Sequence, residues 1–182
     1  MGSASVKPLQ SPAENKNTYD WSNIRLCGSG EEFRNFLISN YDDINWSKLS
    51  QDNYLLAMRF LEENYEHIDW TQLSRNSYYG AIRILRKNQH KIVWRELSMN
   101  TSSGAEKLLR ENLDKVSWDM VCLNPMRWAM KLLLENPSHI NMCIIKDNRS
   151  NAAFEFYERL NQLASEPDNM EITETVSSLF YV

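Results

Sequence analysis

Glycine and proline are scarce, with five of each in 182 residues. That is too few for the turns that separate the many short strands of a sandwich or barrel, so an all-α chain is expected. No run of 18 apolar residues occurs, which excludes a membrane-spanning helix. The opening stretch MGSASVKPLQSPAENKNT lacks the apolar segment of a secretory signal, and the chain is expected not to be secreted. Three cysteines, Cys27, Cys122 and Cys143, form neither an even framework nor a CxxC pair, so neither a disulfide scaffold nor a zinc site is expected. Charge of one sign is also lacking: 20 Lys and Arg stand against 24 Asp and Glu, a net −4. The 42% hydrophobic content is enough for a packed core, which excludes a fibrous or wholly disordered chain.

What is present is a repeat. Trp46, Trp70, Trp94 and Trp118 stand 24 residues apart, Trp21 lies 25 before the first, and Met142 continues the series. Three positions on come Ile24, Leu49, Leu73, Leu97, Val121 and Ile145; eleven on, in the regular units, come Ala57, Ala81, Ala105, Ala129 and Ala153. Toward the end of each unit stand Leu61, Leu85, Leu109 and Leu133, then Asn64, Asn88, Asn112 and Asn136, then Ile68, Ile92, Val116 and Ile140. Asn40 and Ile44 match the last two columns after a one-residue insertion placed near Cys27 to Gly30. Self-similarity at such a period is the signature of a solenoid. The expected architecture is an α-solenoid of about six 24-residue helix-turn-helix repeats within residues 19–165, with units starting near 21, 46, 70, 94, 118 and 142.

The unit from Trp70 to Val93 predicts its own local structure. Asp69 and Asn76 are N-cap residue types, before a short helix carrying Trp70 and Leu73 and before a longer helix of about eleven residues. Asn124-Pro125 reads the same way, as a cap followed by proline in the first turn. Ala81, Ile84 and Leu85 share one face of the longer helix. Asn88 is expected to end it in a left-handed conformation, before a brief extended connection. Helices this short are marginal alone, so stability must come from stacking. The predicted core is the Trp21, Trp46, Trp70, Trp94 and Trp118 column with Leu49, Leu73, Leu97, Ala57, Ala81, Ala105 and Ala129, the alanines marking the closest approach of facing helices.

The ends depart from the pattern. Residues 1–18 are poor in large apolar side chains and read as a disordered or partner-held tail. In the sixth unit Met142 replaces Trp, Lys146 replaces Ser and Leu160 replaces Asn, as in a capping unit whose last helix continues through Gln162. Glu166-Pro167-Asp168 then breaks it, opening an acidic tail over residues 166–182 that ends on an apolar stretch with Phe180, Tyr181 and Val182. That stretch either folds back over the end of the stack or serves as a short ligand for a partner's sheet edge.

No constellation of residues points to catalysis, and no cofactor is expected. His67, His90 and His139 lack metal-ligand spacing; His67 and His139 share a column with Lys91 and Lys115, which reads as a solvated position. Cys122 occupies the column of Ser50, Ser74 and Ser98, a small buried substitute without an adjacent base. Two surface features remain as candidate interaction sites. Arg59, Arg83, Lys107 and Lys131 recur 13 residues into successive units, and His67, Lys91, Lys115 and His139 recur 21 into them; stacking would align both columns as basic ladders for an acidic protein face or a phosphate backbone. Against nucleic acid stands the balance over residues 46–141, 13 Lys and Arg against 11 Asp and Glu, with Glu62 and Glu111 placed to neutralise the ladders. Tyr54, Tyr78 and Tyr79 are candidates for a protein contact, since tyrosine is enriched at interfaces.

The units ENYEHIDWTQLSRNSYYGAIRILRKN and ENLDKVSWDMVCLNPMRWAMKLLLENPSHIN resemble a tandem repeat of large nucleocytoplasmic double-stranded DNA viruses, close to NPxxIdWxxLSxNPxAIxLLxxNPxxI. The likeness covers most of residues 21–160. The chain departs from the pattern at Tyr65, Ser77, Gln89, Thr101 and Leu113, where proline is common, and keeps Pro125 and Pro137. The resemblance implies a viral, non-enzymatic protein, with no catalytic residues to carry over. The expected role is a protein–protein interaction scaffold, a minor capsid-associated component in the virion or host cytoplasm, whose partners are capsid components or a host factor. The alternative is a viral adaptor that engages a host protein or nucleic acid through the basic ladders.

Overall fold

The computed structural model describes residues 29–165, with side chains described through residue 162. Expectations for Trp21, Ile24, Cys27, the 1–18 tail and the 166–182 tail, including Phe180, Tyr181 and Val182, lie outside the described residues. The chain forms two compact bodies, Met1–Ile44 and Asn45–Val182.

In the first body, helix α1 (Gly30–Ser39) buries Phe33 and Leu37. Its start is set by a reciprocal cap: the Glu32 N–H donates to Ser29 Oγ at 3.2 Å, and the Ser29 N–H donates to Glu32 Oε2 at 3.0 Å. A 3-10 turn, Tyr41–Asp43, follows.

The second body is an all-α stack of repeated helix pairs, with no strand among the described residues. Its short helices are α2 (Trp46–Gln51), α4 (Trp70–Arg75), α6 (Trp94–Met99), α8 (Trp118–Leu123) and α10 (Met142–Ile145). The long ones are α3 (Leu55–Glu63), α5 (Tyr79–Lys87), α7 (Ser103–Arg110), α9 (Arg127–Glu135) and α11 (Asn151–Ser165). Each short helix packs on the next, α2 on α4 through to α10, and long helices form the second layer, α3 on α5, α5 on α7 and α9 on α11. Between them lie the Leu49, Leu73, Leu97 and Val121 column, the Ala57, Ala81, Ala105 and Ala129 column and the Leu61, Leu85, Leu109 and Leu133 column, all buried.

Local structure differs from expectation in four respects. The long helices α3, α5 and α9 have nine residues and α7 has eight, against the predicted eleven or so. The missing residues belong to an extended link before each helix: α5 begins at Tyr79 and α9 at Arg127, so neither Asn76 nor Asn124 is its N-cap. Asn88 is not left-handed, with φ −129° and ψ 48°. Its side chain does the capping instead, donating from Nδ2 to the Ile84 carbonyl at 2.8 Å, and Asn40, Asn64, Asn112 and Asn136 repeat that bond. The amide thus satisfies an orphan carbonyl that a left-handed backbone would otherwise turn to reach. Finally, the connection is not simply extended but holds a 3-10 turn, such as Gln89–Lys91. The last helix runs three residues past the expected Gln162, to Ser165.

Long helices also approach closely one residue before the fully buried Ala column. A Cβ at Gly104 would stand 2.6 Å from Ile82 Cγ2, and one at Gly80 would stand 2.8 Å from Met58 Cγ. Any side chain at either position would force its neighbour to shift. The same column holds Trp128 in α9, whose buried Nε1 has no hydrogen-bond partner among the described residues.

Candidate interaction surface

The surface of the stack is organised by a polar spine that joins its units. Asn76 Nδ2 donates to the Ser50 carbonyl at 2.9 Å and the Asp52 carbonyl at 2.8 Å, both in the preceding unit, while its Oδ1 accepts from the Tyr78 N–H at 2.9 Å. Asn100 donates to Ser74 and Asn76, Asn124 to Ser98 and Asn100, and Asn148 to Cys122 and Asn124. Asn76, Asn100 and Asn124 each end a short helix, Asn148 follows α10 by three residues, and all four turn the chain through an Asx-turn and tie it to the unit before. A second column runs the other way: the Oγ atoms of Ser50, Ser74 and Ser98 accept from the N–H groups of Asp69, Val93 and Ser117 at 3.1 Å. The sequence reading missed this spine, although the recurrence of Asn76, Asn100, Asn124 and Asn148 was its signal. Cys122 completes the serine column as a fully buried thiol that reaches the His139 carbonyl at 3.9 Å. Burial pushes its pKa up and leaves it protonated and unreactive.

Because the spine fixes the inter-helix loops, they form a groove of about 610 Å³ between the units that start at Trp46 and Trp70. Its walls are Gln51, Asn53, Gln72, Arg75, Asn76, Ser77 and Tyr78. Tyr78 and Tyr79, predicted as contact residues, stand together with ring centroids 4.5 Å apart. Tyr79 is 61% exposed. The Tyr78 hydroxyl is raised above the ordinary phenol range, first by its hydrogen bond with Tyr79. Tyr54 is half-buried one unit earlier in the Tyr78 column. Arg75 is held by a hydrogen bond and ion pair with Glu96 of the following unit, which raises its pKa. The groove residues Gln51, Asn53, Gln72 and Ser77 carried no motif, and only the loop geometry assembles them.

The tryptophans are not the deeply buried column that their spacing predicts. Trp46, Trp70, Trp94 and Trp118 are half-buried; of the His/Lys column read as solvated, Lys91, Lys115 and His139 are exposed, and His67, Lys115 and His139 pack on an indole. His67 stacks on Trp46 at 4.4 Å and His139 on Trp118 at 4.2 Å, ring centroid to centroid. Lys115 Nζ lies 5.1 Å over Trp94, and Tyr65 meets Trp70 edge-on. A position that alternates between His and Lys makes sense here, because a flat ring and a cation both find a partner in an indole face.

The four members of the basic column, Arg59, Arg83, Lys107 and Lys131, are all exposed. Arg83 pairs with Glu62 at 2.6 Å, whereas no ion pair joins Arg59, Lys107 or Lys131 to another described residue. Around them, pairs link one unit to the next: Lys87 with Glu62 at 3.1 Å, Arg86 with Glu111 at 3.1 Å, Arg110 with Glu135, and Arg127 with Glu155 at 2.7 Å. Glu62 and Glu111 thus neutralise basic residues as expected, but chiefly neighbours of the column. Among the described residues, no three His, Cys, Asp or Glu side chains gather into a metal-binding group, and no helix is long and apolar enough to cross a membrane.

No family model matches the chain, and neither a curated protein nor a solved structure matches it significantly.

Proposed function

We propose that this chain is a non-enzymatic protein–protein interaction scaffold. The observation that carries the reading is the groove at the loops of the units starting at Trp46 and Trp70, beside the exposed Tyr79. Amide and hydroxyl groups from Gln51, Asn53, Gln72 and Ser77 offer donors and acceptors to an extended peptide backbone, and the paired tyrosines offer rigid amphipathic area. The loops reach binding already ordered by the asparagine spine, so little conformational entropy remains to be lost. The resemblance of the repeat to those of large DNA viruses supports a more specific setting, a minor capsid-associated protein in the virion or host cytoplasm whose partner is a capsid component. Mass spectrometry of purified particles tests that setting, and absence of the chain from particles overturns it. A photo-crosslinking residue in place of Tyr79 tests the surface; crosslinks formed from the Lys107 position and not from Tyr79 would overturn the choice of the groove.

The second reading, an adaptor that engages a host protein or nucleic acid through the basic column, is favoured by the exposure of Arg59, Lys107 and Lys131 without ion pairs. Salt separates the two. Binding through that column weakens steeply between low and physiological ionic strength, whereas binding through the groove changes little.

A further inference from the structure

Among the described residues, the unit starting at Met142 has no following unit on its outer face. Within the stack, the position 12 residues into a unit is covered by the next long helix where it is apolar, Met58 lying under Gly80 and Ile82 under Gly104, while the third unit holds a half-buried Glu106 paired with Arg110 there. Met58, Ile82 and Met130 are at most 8% exposed in this column, but Phe154 is 68% exposed. Beside Phe154 a cavity of about 240 Å³ is lined by Ile145, Lys146, Asn148, Arg149, Ala153 and Tyr157, among others. Ile145 and Ala153 form a buried apolar floor, while Lys146 and Arg149 are exposed at the rim. Among the described residues the spine also stops here: the Asn76, Asn100 and Asn124 carbonyls each accept an amide from the following unit, and none of the described side chains donates to the Asn148 carbonyl.

We infer that this end face is the docking site of the chain's own segment Ser177–Val182, bound in cis. Three features select that occupant. Residues 166–176 carry four acids, Glu166, Asp168, Glu171 and Glu174, and no Lys or Arg, which complements Lys146 and Arg149; Asp147 is the one acid in the same turn and does not line the cavity. The segment Leu179-Phe180-Tyr181-Val182 is a run of large apolar side chains, the type that the exposed Phe154 face takes up. Reach suffices too: Phe154 lies about 17 Å along α11 from Ser165 at 1.5 Å per residue, and an extended linker of eleven residues spans up to about 36 Å. The segment then covers Phe154 as a following helix covers Met58 and Ile82, closing the stack with an unrelated sequence. This inference stands apart from the scaffold reading, which uses the groove near the Trp46 and Trp70 units.

Hydrogen exchange on the full chain tests it. The expected result is at least about tenfold slower exchange of the amides of residues 178–182 than in a free peptide of the same sequence. Phe154→Asp, and separately Lys146→Glu with Arg149→Glu, abolish that protection while the amides of α9 stay protected, which shows that the fold survives. Fast exchange in the unsubstituted chain, or protection that persists in Phe154→Asp, overturns the inference. Protection that grows with protein concentration, together with a doubled mass in light scattering, assigns the face to a second copy and equally overturns docking in cis.

Discussion

The Asn100 side chain makes three hydrogen bonds, two to carbonyls of the preceding unit and one from the Ser102 N–H, in a site where it is 2% exposed. Asn100→Ala is expected to cost about 3 kcal/mol, because buried carbonyls lose their donor. Asn100→Asp, which keeps the acceptor for Ser102 but cannot donate, is expected to cost at least as much. Urea unfolding of both variants checks this, and an aspartate clearly milder than the alanine would show that the turn, not the inter-unit bonds, is what counts. Cys122 yields a pH prediction. Its pKa is raised by burial, so the folded state holds its proton more tightly than the unfolded state does. Stability is then full below the ordinary thiol range and falls as pH rises through that range toward the folded value. Cys122→Ser restores the residue of Ser50, Ser74 and Ser98 and is expected to flatten that alkaline decline, measured as melting temperature against pH.

The short helices differ in how they begin. Asp69 caps α4 by accepting from the Thr71 and Gln72 N–H groups, both at 3.1 Å, and Asn45 and Asn141 cap α2 and α10. Val93 precedes α6 with almost the same backbone, φ −85° and ψ 91° against −77° and 96° at Asp69, yet supplies no side-chain cap. Val93→Asp is therefore expected to stabilise the chain by about 1 kcal/mol, a rise of about 2–4 °C in melting temperature for a chain of this size. No rise would mean that the half-buried valine contributes as much by packing as the cap would. Among the long helices, the missing Cβ at Gly80 and Gly104 lets each helix close up on Met58 or Ile82 of the one before it. The alanines, expected at the contact between facing helices, are fully buried one residue further on.

Stability of the stack is the sum of its units and of the interfaces between neighbours. The interfaces are interchangeable where their columns match. Removing residues 70–93 would bring Asn100 onto the Ser50 and Asp52 carbonyls, Gly104 onto Met58, and Asp69 to the start of the Trp94 helix. The shortened chain is expected to keep its helicity per residue in circular dichroism and to melt in one transition at a lower temperature. Removing only residues 82–93, half a period, is expected to abolish cooperative melting. Retention of a sharp transition by the half-period deletion would contradict a stack held by column register. The inter-unit ion pairs add order more than energy: each exposed pair contributes about 0–1 kcal/mol, but Glu62 faces bases above it whereas Arg86 and Arg110 face acids.

The repeat period, the all-α class and the buried Leu, Ala and Ile columns were legible in the amino-acid order, because apolar side chains at a constant step have one economical arrangement, a stack that buries them against their copies. The cap at Asp69 was legible for the same local reason. Asparagine was not. Asn76 and Asn88 carry the same amide, and only the arrival of another unit's carbonyls within 3 Å makes one a clamp between units while the other caps its own helix. Nor could spacing tell a buried indole from one half-covered by His67 or Lys115, or assemble Gln51, Asn53, Gln72 and Ser77 into a groove, since these depend on residues about 20 positions apart meeting at a surface. Periodicity specifies which side chains must leave water; the directional bonds and edges that a partner would meet exist only once neighbouring units are in place.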